Sequence, residues 1–191
     1  MPEIRLRDRL KPLAARVLQD YEIYWIFRCQ AMPERARLPA QECVLTEVDA
    51  AGVKALPSAL LRGQAAYAGD GAHAFLATLH GVPAGLCFYW SGERYRTRNF
   101  WPLRPGEAKL VQLVVDPAYR GRGIATRLIA NSAATLAEAG LGTLYARVWH
   151  SNAPSIGAFH HAGWRRIALV VTLLPRGVQR RVRIALPWRE R

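Results

Sequence analysis

The residues Val115-Asp116-Pro117-Ala118-Tyr119-Arg120-Gly121-Arg122-Gly123-Ile124-Ala125 join an apolar strand to an amphipathic helix with almost no chain between them. Before the junction, Leu110 to Val115 has the composition of a buried strand. After it, Ile124, Leu128, Ala133 and Leu136 recur near helical spacing, and Gly140 ends the run. The first turn of such a helix carries unpaired N–H groups and a partial positive charge, which suits an anion. Gly121 and Gly123 lack a Cβ, so the main chain can approach a ligand closely and adopt positive φ. Arg120 and Arg122 add charge of a shape that matches phosphate oxygens. The junction is therefore expected to grip a phosphate-bearing ligand, with Ile124, Ala125 and Thr126 supplying first-turn amides. It is not a dinucleotide fingerprint, which needs G-x-G-x-x-G, and it lacks the Lys-Ser/Thr of a P-loop.

The surrounding pattern is α/β. Strands are predicted at Glu42 to Val48, His73 to Leu79, Ala84 to Trp90, Leu110 to Val115, Leu144 to Trp149, Trp164 to Leu174 and Val178 to Leu186. Asp49 is placed to cap a helix over Ala50 to Leu56, and Pro154 to His161 reads as another short helix. A polar and aromatic loop fills Ser91 to Gly106. The first forty residues differ. Pro12 is placed to open a helix carrying Leu13, Val17, Leu18 and Tyr21, whereas Tyr21 to Phe27 is aromatic on almost every side and fits helix or strand. That segment is expected either to pack on the main domain or to form a homodimer surface. Met32 to Pro39 looks like a linker. The expected organisation is an N-terminal helical and aromatic extension over 1–40 and one catalytic or binding domain over 41–191.

A chain of 191 residues that is 51% apolar and 21% charged has the composition of a folded, soluble protein. No run approaches the roughly 20 apolar residues of a membrane span, and the N-terminus shows no apolar signal-peptide core. Cys29, Cys43 and Cys87 are odd in number and widely spaced, which fits a reducing cytoplasm better than a disulfide framework. The histidines show no metal-ligand spacing, so no metal is expected. The net charge of +13 admits nucleic-acid binding as an alternative. Its arginines are nevertheless spread from Arg5 to Arg191, and the densest group, Arg176 to Arg191, partly alternates with apolar residues as a half-exposed strand would.

The junction resembles the acetyl-coenzyme A signature of the GNAT superfamily, Gln/Arg-x-x-Gly-x-Gly/Ala, with Arg120, Gly123 and Ala125 at the defined positions. The resemblance extends to Asn152-Ala-Pro-Ser155-Ile-Gly-Ala-Phe159-His-His-Ala-Gly163-Trp164, which is similar to the family's Asn-x-x-Ala…Tyr…Gly-Phe segment. It covers about three quarters of the chain and leaves out residues 1–40. It implies a mixed, mostly antiparallel sheet of six to seven strands flanked by helices. In that fold the strands at 110–115 and 144–149, fourth and fifth in the family order, splay apart. Acetyl-coenzyme A would lie in the gap as co-substrate. Main-chain groups around Leu113, Val114 and Val115 would meet its pantetheine arm and thioester, and Asn152, Ser155 and Phe159 would border it from one helix face.

The activity so implied is acyl transfer to a primary amine of an acceptor; a small molecule is favoured over a protein, and a protein lysine or N-terminus stays open as the alternative acceptor. The aromatic and basic loop, with Trp90, Arg94, Tyr95, Arg96, Arg98, Phe100, Trp101 and Arg104, suits an aromatic, sugar-like or anionic acceptor. Phe159 stands where many relatives have a Tyr that protonates the departing thiolate, and a thiol pKa of about 8.5 lets the thiolate leave without it. Lys109 and Gln112 occupy strand positions where an acid would have served as base. Glu107 and His150 are the remaining candidates, with Glu47 and Glu93 behind them. The departures from the family pattern keep a second reading open: a non-catalytic protein that binds acyl-coenzyme A or nucleic acid on the same fold.

Overall fold

A computed structural model describes residues 17–30, 43–97 and 99–189. One eight-stranded sheet organises them, in the order β2-β3-β4-β5-β6-β1-β7-β8. The strands are β1 (Leu18–Gln30), β2 (Cys43–Val48), β3 (Ala72–Leu79), β4 (Val82–Ser91), β5 (Glu107–Val115), β6 (Thr143–Trp149), β7 (Arg165–Pro175) and β8 (Val182–Pro187). Among the described residues four α-helices accompany them: α1 (Ala50–Lys54), α2 (Ala59–Arg62), α3 (Ile124–Glu138) and α4 (Ala153–His161). Every neighbouring pair of strands is antiparallel except β5 and β6.

The sequence pattern accounts for most of this. The predicted strands and helices from residue 42 onward all occur, within a few residues of their expected ends. Asp49 accepts from the Gly52 N–H at 2.7 Å and so starts α1, as its cap position requires. His80 and Gly81 both take positive φ in the tight connection of β3 to β4. Helix α3 lays Ile124, Leu128, Ile129, Ala133 and Leu136 against one face of the sheet, where they join Phe75, Cys87, Tyr89, Ala146 and Phe159 in the main core. On the other face, α1, α2 and the turn between them cover β3 and β4 through Val53, Leu61 and Leu56.

The N-terminal segment takes the strand, of the two forms its aromatic pattern left open, and packs into the main sheet instead of standing as an extension. Residues 18–30 form a strand of the same sheet, seated between β6 and β7. The sheet accordingly has eight strands rather than six or seven, and position 40 separates no independent unit within the described residues. Tyr24, Ile26 and Phe27 are at most 3% exposed. The aromatics expected at a dimer surface are thus largely spent inside the chain, Tyr21 remaining exposed. A strand with neighbours on both sides and layers on both faces is apolar in both directions, which is why the segment does not alternate. The expected helix opening at Pro12 and the linker at Met32 to Pro39 lie outside the described residues.

Arg181 and Arg183, among the C-terminal arginines, find partners. Arg181 pairs with Asp20 at 2.8 Å and reaches Glu22 at 4.0 Å, tying the segment before β8 to β1. Arg183 donates to the Phe100 carbonyl at 2.6 Å. Among the described residues, no helix is long and apolar enough to cross a membrane.

Candidate active site

β5 and β6 pair only over Glu107–Leu110 and Thr143–Ala146. Beyond Leu110 and Ala146 the two strands diverge, while β5 stays paired to β4 as far as Val115. A register shift opposite Phe88 and Tyr89 bulges β5 at Val111, just where the divergence begins. Such a bulge bends its strand and re-aims the residues beyond it. The gap therefore exposes one main-chain edge of residues 111–115. Within it, the Leu113 N–H donates to Gln112 Oε1 at 3.3 Å.

A cavity of about 670 Å³ occupies one side of this gap. Leu113, Val114 and Val115 of β5 line it, with Arg120, Gly121, Gly123, Ile124, Ala125 and Thr126 at the start of α3, and Asn152 and Ser155 at the start of α4. The sequence placed twelve of its thirteen ligand-binding candidates either here or, for Phe159, in the adjoining cavity. Arg122 is the exception: its guanidinium lies 5.9 Å from the Tyr119 ring centroid at the rim. Gly121 and Gly123 have φ of 77° and 72°, and a Cβ built on either would meet nothing within 4 Å. Conformation and open approach, not crowding, are what glycine provides there. Asn152 accepts from the Ser155 N–H at 3.2 Å and caps α4. Arg120 is braced through its Nε to the Val115 carbonyl at 3.4 Å.

A second cavity, about 250 Å³, adjoins the first and shares Leu113, Asn152 and Ser155 with it. Its other walls include Tyr67, Asn99, Phe100, Gln112, Arg147, Trp149 and Phe159. Phe159 is buried against Phe27 and Trp164, with ring centroids 5.2 and 5.1 Å away. The loop over this cavity is pinned from below. Buried Lys109 donates to the Trp101 carbonyl at 2.7 Å, Arg183 holds the Phe100 carbonyl, and Trp101 leans on Tyr145 at 5.6 Å.

Neither expected base reaches these cavities. Glu107 accepts from the Arg104 N–H at 2.8 Å and from the Tyr145 hydroxyl at 3.1 Å, so it braces the loop. His150 Nδ1 lies 3.0 Å from the Ile23 carbonyl and lines neither cavity. Glu47 faces His73 and Glu93 faces Arg96. Arg94 and Arg96 are also absent from the walls, and Arg98 lies outside the described residues. Burial pushes the thiols of Cys29 and Cys87 up to about 11 and 12, so both stay protonated and neither is a nucleophile at neutral pH. No group of three or more His, Cys, Asp or Glu side chains is placed to hold a metal among the described residues.

Burial lowers the Lys109 ammonium to about 8. Between that value and the ordinary lysine value near 10.4, the unfolded chain holds a proton that the folded chain has shed. Stability must then rise with pH across the window. Thermal unfolding at pH 7.5 and 10 is expected to show the wild type gaining on Lys109→Met, the comparison cancelling the titration of Cys and Tyr. An unchanged gap would mean that this ammonium is not desolvated.

An open sheet, a glycine-built helix start and two joined cavities agree with the family match. The chain belongs to the acetyltransferase (GNAT) family, whose pattern it matches over residues 36–164. It is similar to a GNAT-family acetyltransferase from Colwellia psychrerythraea, with 16% identity and a TM-score of 0.57 over 86% of this chain and 60% of that one. A GNAT-family structure from Novosphingobium aromaticivorans gives 17% identity and a TM-score of 0.53, covering 82% of this chain and 65% of the other. These likenesses show the fold. An uncharacterised Mycobacterium leprae protein is 38% identical over 65 residues, 34% of this chain and 17% of that relative. The chain thus spans less than two thirds of each of these relatives.

Proposed function

We propose that the chain transfers an acyl group, acetyl by default, from coenzyme A to a primary amine of a small molecule. The observation that carries this reading is the meeting of two cavities at Leu113, Asn152 and Ser155 in a sheet opened between β5 and β6. The first cavity ends on a helix start whose positive-φ glycines leave room for a ligand, and amides and arginines there suit a pyrophosphate. Acyl-coenzyme A supplies the activated thioester. The unpaired edge of β5 would hold the pantetheine amides in the manner of an added strand. The Leu113 N–H is the donor best placed to polarise the thioester carbonyl, with Gln112 Oε1 now standing where the acyl oxygen would accept. A donor of this kind contributes on the order of 10²–10³ in rate.

The second cavity would seat the acceptor amine facing that carbonyl. As the C–N bond forms and the C–S bond breaks, the sulfur keeps the bonding pair, and the amine proton passes by water to solvent or to the departing thiolate. No Asp, Glu or His is in the described wall of this cavity, so the amine must arrive as its free base. The size of about 250 Å³ favours a small acceptor over a protein side chain on its backbone. The three cysteines are free thiols, in keeping with work in the cytosol.

Titration calorimetry with acetyl-coenzyme A tests the first half. Micromolar binding is expected, weakened about tenfold or more in Arg120→Glu, because a cation on the cavity wall becomes a repelling charge. Binding of RNA or DNA with steep salt dependence, and none of acetyl-coenzyme A, would favour the nucleic-acid reading instead. Tight acetyl-coenzyme A binding without turnover of any amine or lysate protein would favour the non-catalytic one.

A further inference from the structure

Arg147 projects from β6 into the second cavity among three aromatic rings. Its guanidinium carbon is 5.3 Å from the Tyr24 centroid, 5.5 Å from Trp149 and 5.8 Å from Phe100. The rings come from three separate places: β1, β6 and the loop pinned by Lys109 and Arg183. Tyr24 and Trp149 also meet edge to face, with centroids 6.0 Å apart, so the cage has braced walls. Cation–π contact fixes the guanidinium plane and leaves its N–H donors unused, since an aromatic face accepts charge but offers no lone pair. Among the described residues, Arg147 makes no hydrogen bond or ion pair, and no carboxylate lines the cavity. The remaining polar wall groups, Asn99, Gln112, Asn152, Ser155 and Tyr67, are neutral.

A pocket of this kind repels cations and holds a planar fork ready for an oxyanion. We infer that the acceptor is an anionic amine, carrying a carboxylate or phosphate that docks on Arg147 while its amino group faces Leu113. This rests on the acyl-transfer reading and narrows its substrate class. Polyamines and aminoglycoside-like polycations are the acceptors it disfavours. The anion-binding role that the sequence suggested for Arg94 and Arg96 passes to a residue on a different element.

The test is a thiol-release assay with acetyl-coenzyme A and matched acceptors: amino acids against their primary amides, and aminoalkyl phosphates against the corresponding alcohols. The anionic member of at least one pair is expected to be favoured about 10–100-fold in kcat/KM, the range of a charge-assisted contact. Arg147→Gln should bring that ratio close to one, and Arg147→Lys should restore part of it. Both variants should keep the wild-type affinity for acetyl-coenzyme A, which also reports that they fold. In parallel, N-acetyl amino acids and their amides are titrated against the protein with coenzyme A present, reading indole fluorescence from the Trp149 cage. Preference for neutral or cationic acceptors would overturn the inference, as would a ratio unmoved in Arg147→Gln. So would failure of both anionic acceptors and acetylated carboxylate products to bind in preference to their neutral counterparts. In each case intact acetyl-coenzyme A binding leaves the coenzyme cleft standing, whereas its loss in the wild type would remove the acyl-transfer reading itself.

Discussion

A chain begun at residue 36, where the family match starts, is expected not to fold. Removing β1 leaves β6 and β7 without their shared neighbour and opens a sheet edge in the middle of the structure. Burying Tyr24, Ile26 and Phe27 contributes roughly 1.5–3 kcal/mol each, and the paired backbone groups on both sides of the strand would be exposed with them. Their sum rivals the whole stability of an ordinary domain, about 5–15 kcal/mol. Far-UV circular dichroism and thermal melting of the truncated chain should show no cooperative transition. Ile26→Asp in the full chain tests the same point with one residue, by placing a charge at a position with 0% exposure. A truncated chain that melts cooperatively near the wild-type temperature would mean β1 is an accessory strand.

The second large effect belongs to Gly123, which caps α3 in the left-handed conformation with φ of 72°. Gly123→Val should abolish measurable acetyl-coenzyme A binding, because a β-branched residue resists this φ and its side chain fills the approach to the first-turn amides. The strain alone costs about 1–3 kcal/mol. Gly140→Val is the matched control: its φ is 85°, it too has nothing within 4 Å of a built Cβ, and it lines neither cavity. The two variants should lose similar stability by thermal melting, while calorimetry separates them. Equal binding by both would show that the cleft does not depend on the shape of this turn.

The cavity proposed for coenzyme A was legible in the sequence because the backbone builds it. A ligand held by main-chain amides leaves its mark as glycines, a proline and a helix start in one short run, Asp116 to Thr126. The second cavity, proposed to seat the acceptor, leaves no such mark. Its walls come from Tyr67, Asn99 and Phe100, β5, β6 and α4, brought together only by the sheet. Arg147 is one of 24 arginines, and nothing in its neighbours along the chain distinguishes it. Its cage also depends on Tyr24, whose strand was ambiguous for a physical reason. Tyr21, Tyr24, Trp25, Ile26 and Phe27 fill both faces, so neither a period of two nor one of 3.6 stands out. Pairing between β1 and strands more than a hundred residues away has no local signature at all. Glu107 misled for the opposite reason: a carboxylate before the right strand is equally suited to capping the Arg104 N–H.

The place of β1 has a consequence for how the molecule is made. Its partners begin at Thr143 and Arg165, so on the ribosome this strand is finished long before either exists. At synthesis rates of about 5–20 residues per second, the wait is on the order of ten seconds. Throughout it, Tyr24 to Phe27 belongs to a nascent chain with no edge to join and a strong tendency to stick to others. Because Arg147 cannot acquire its Tyr24 wall until the interval ends, the second cavity is among the last parts of the protein to come into being.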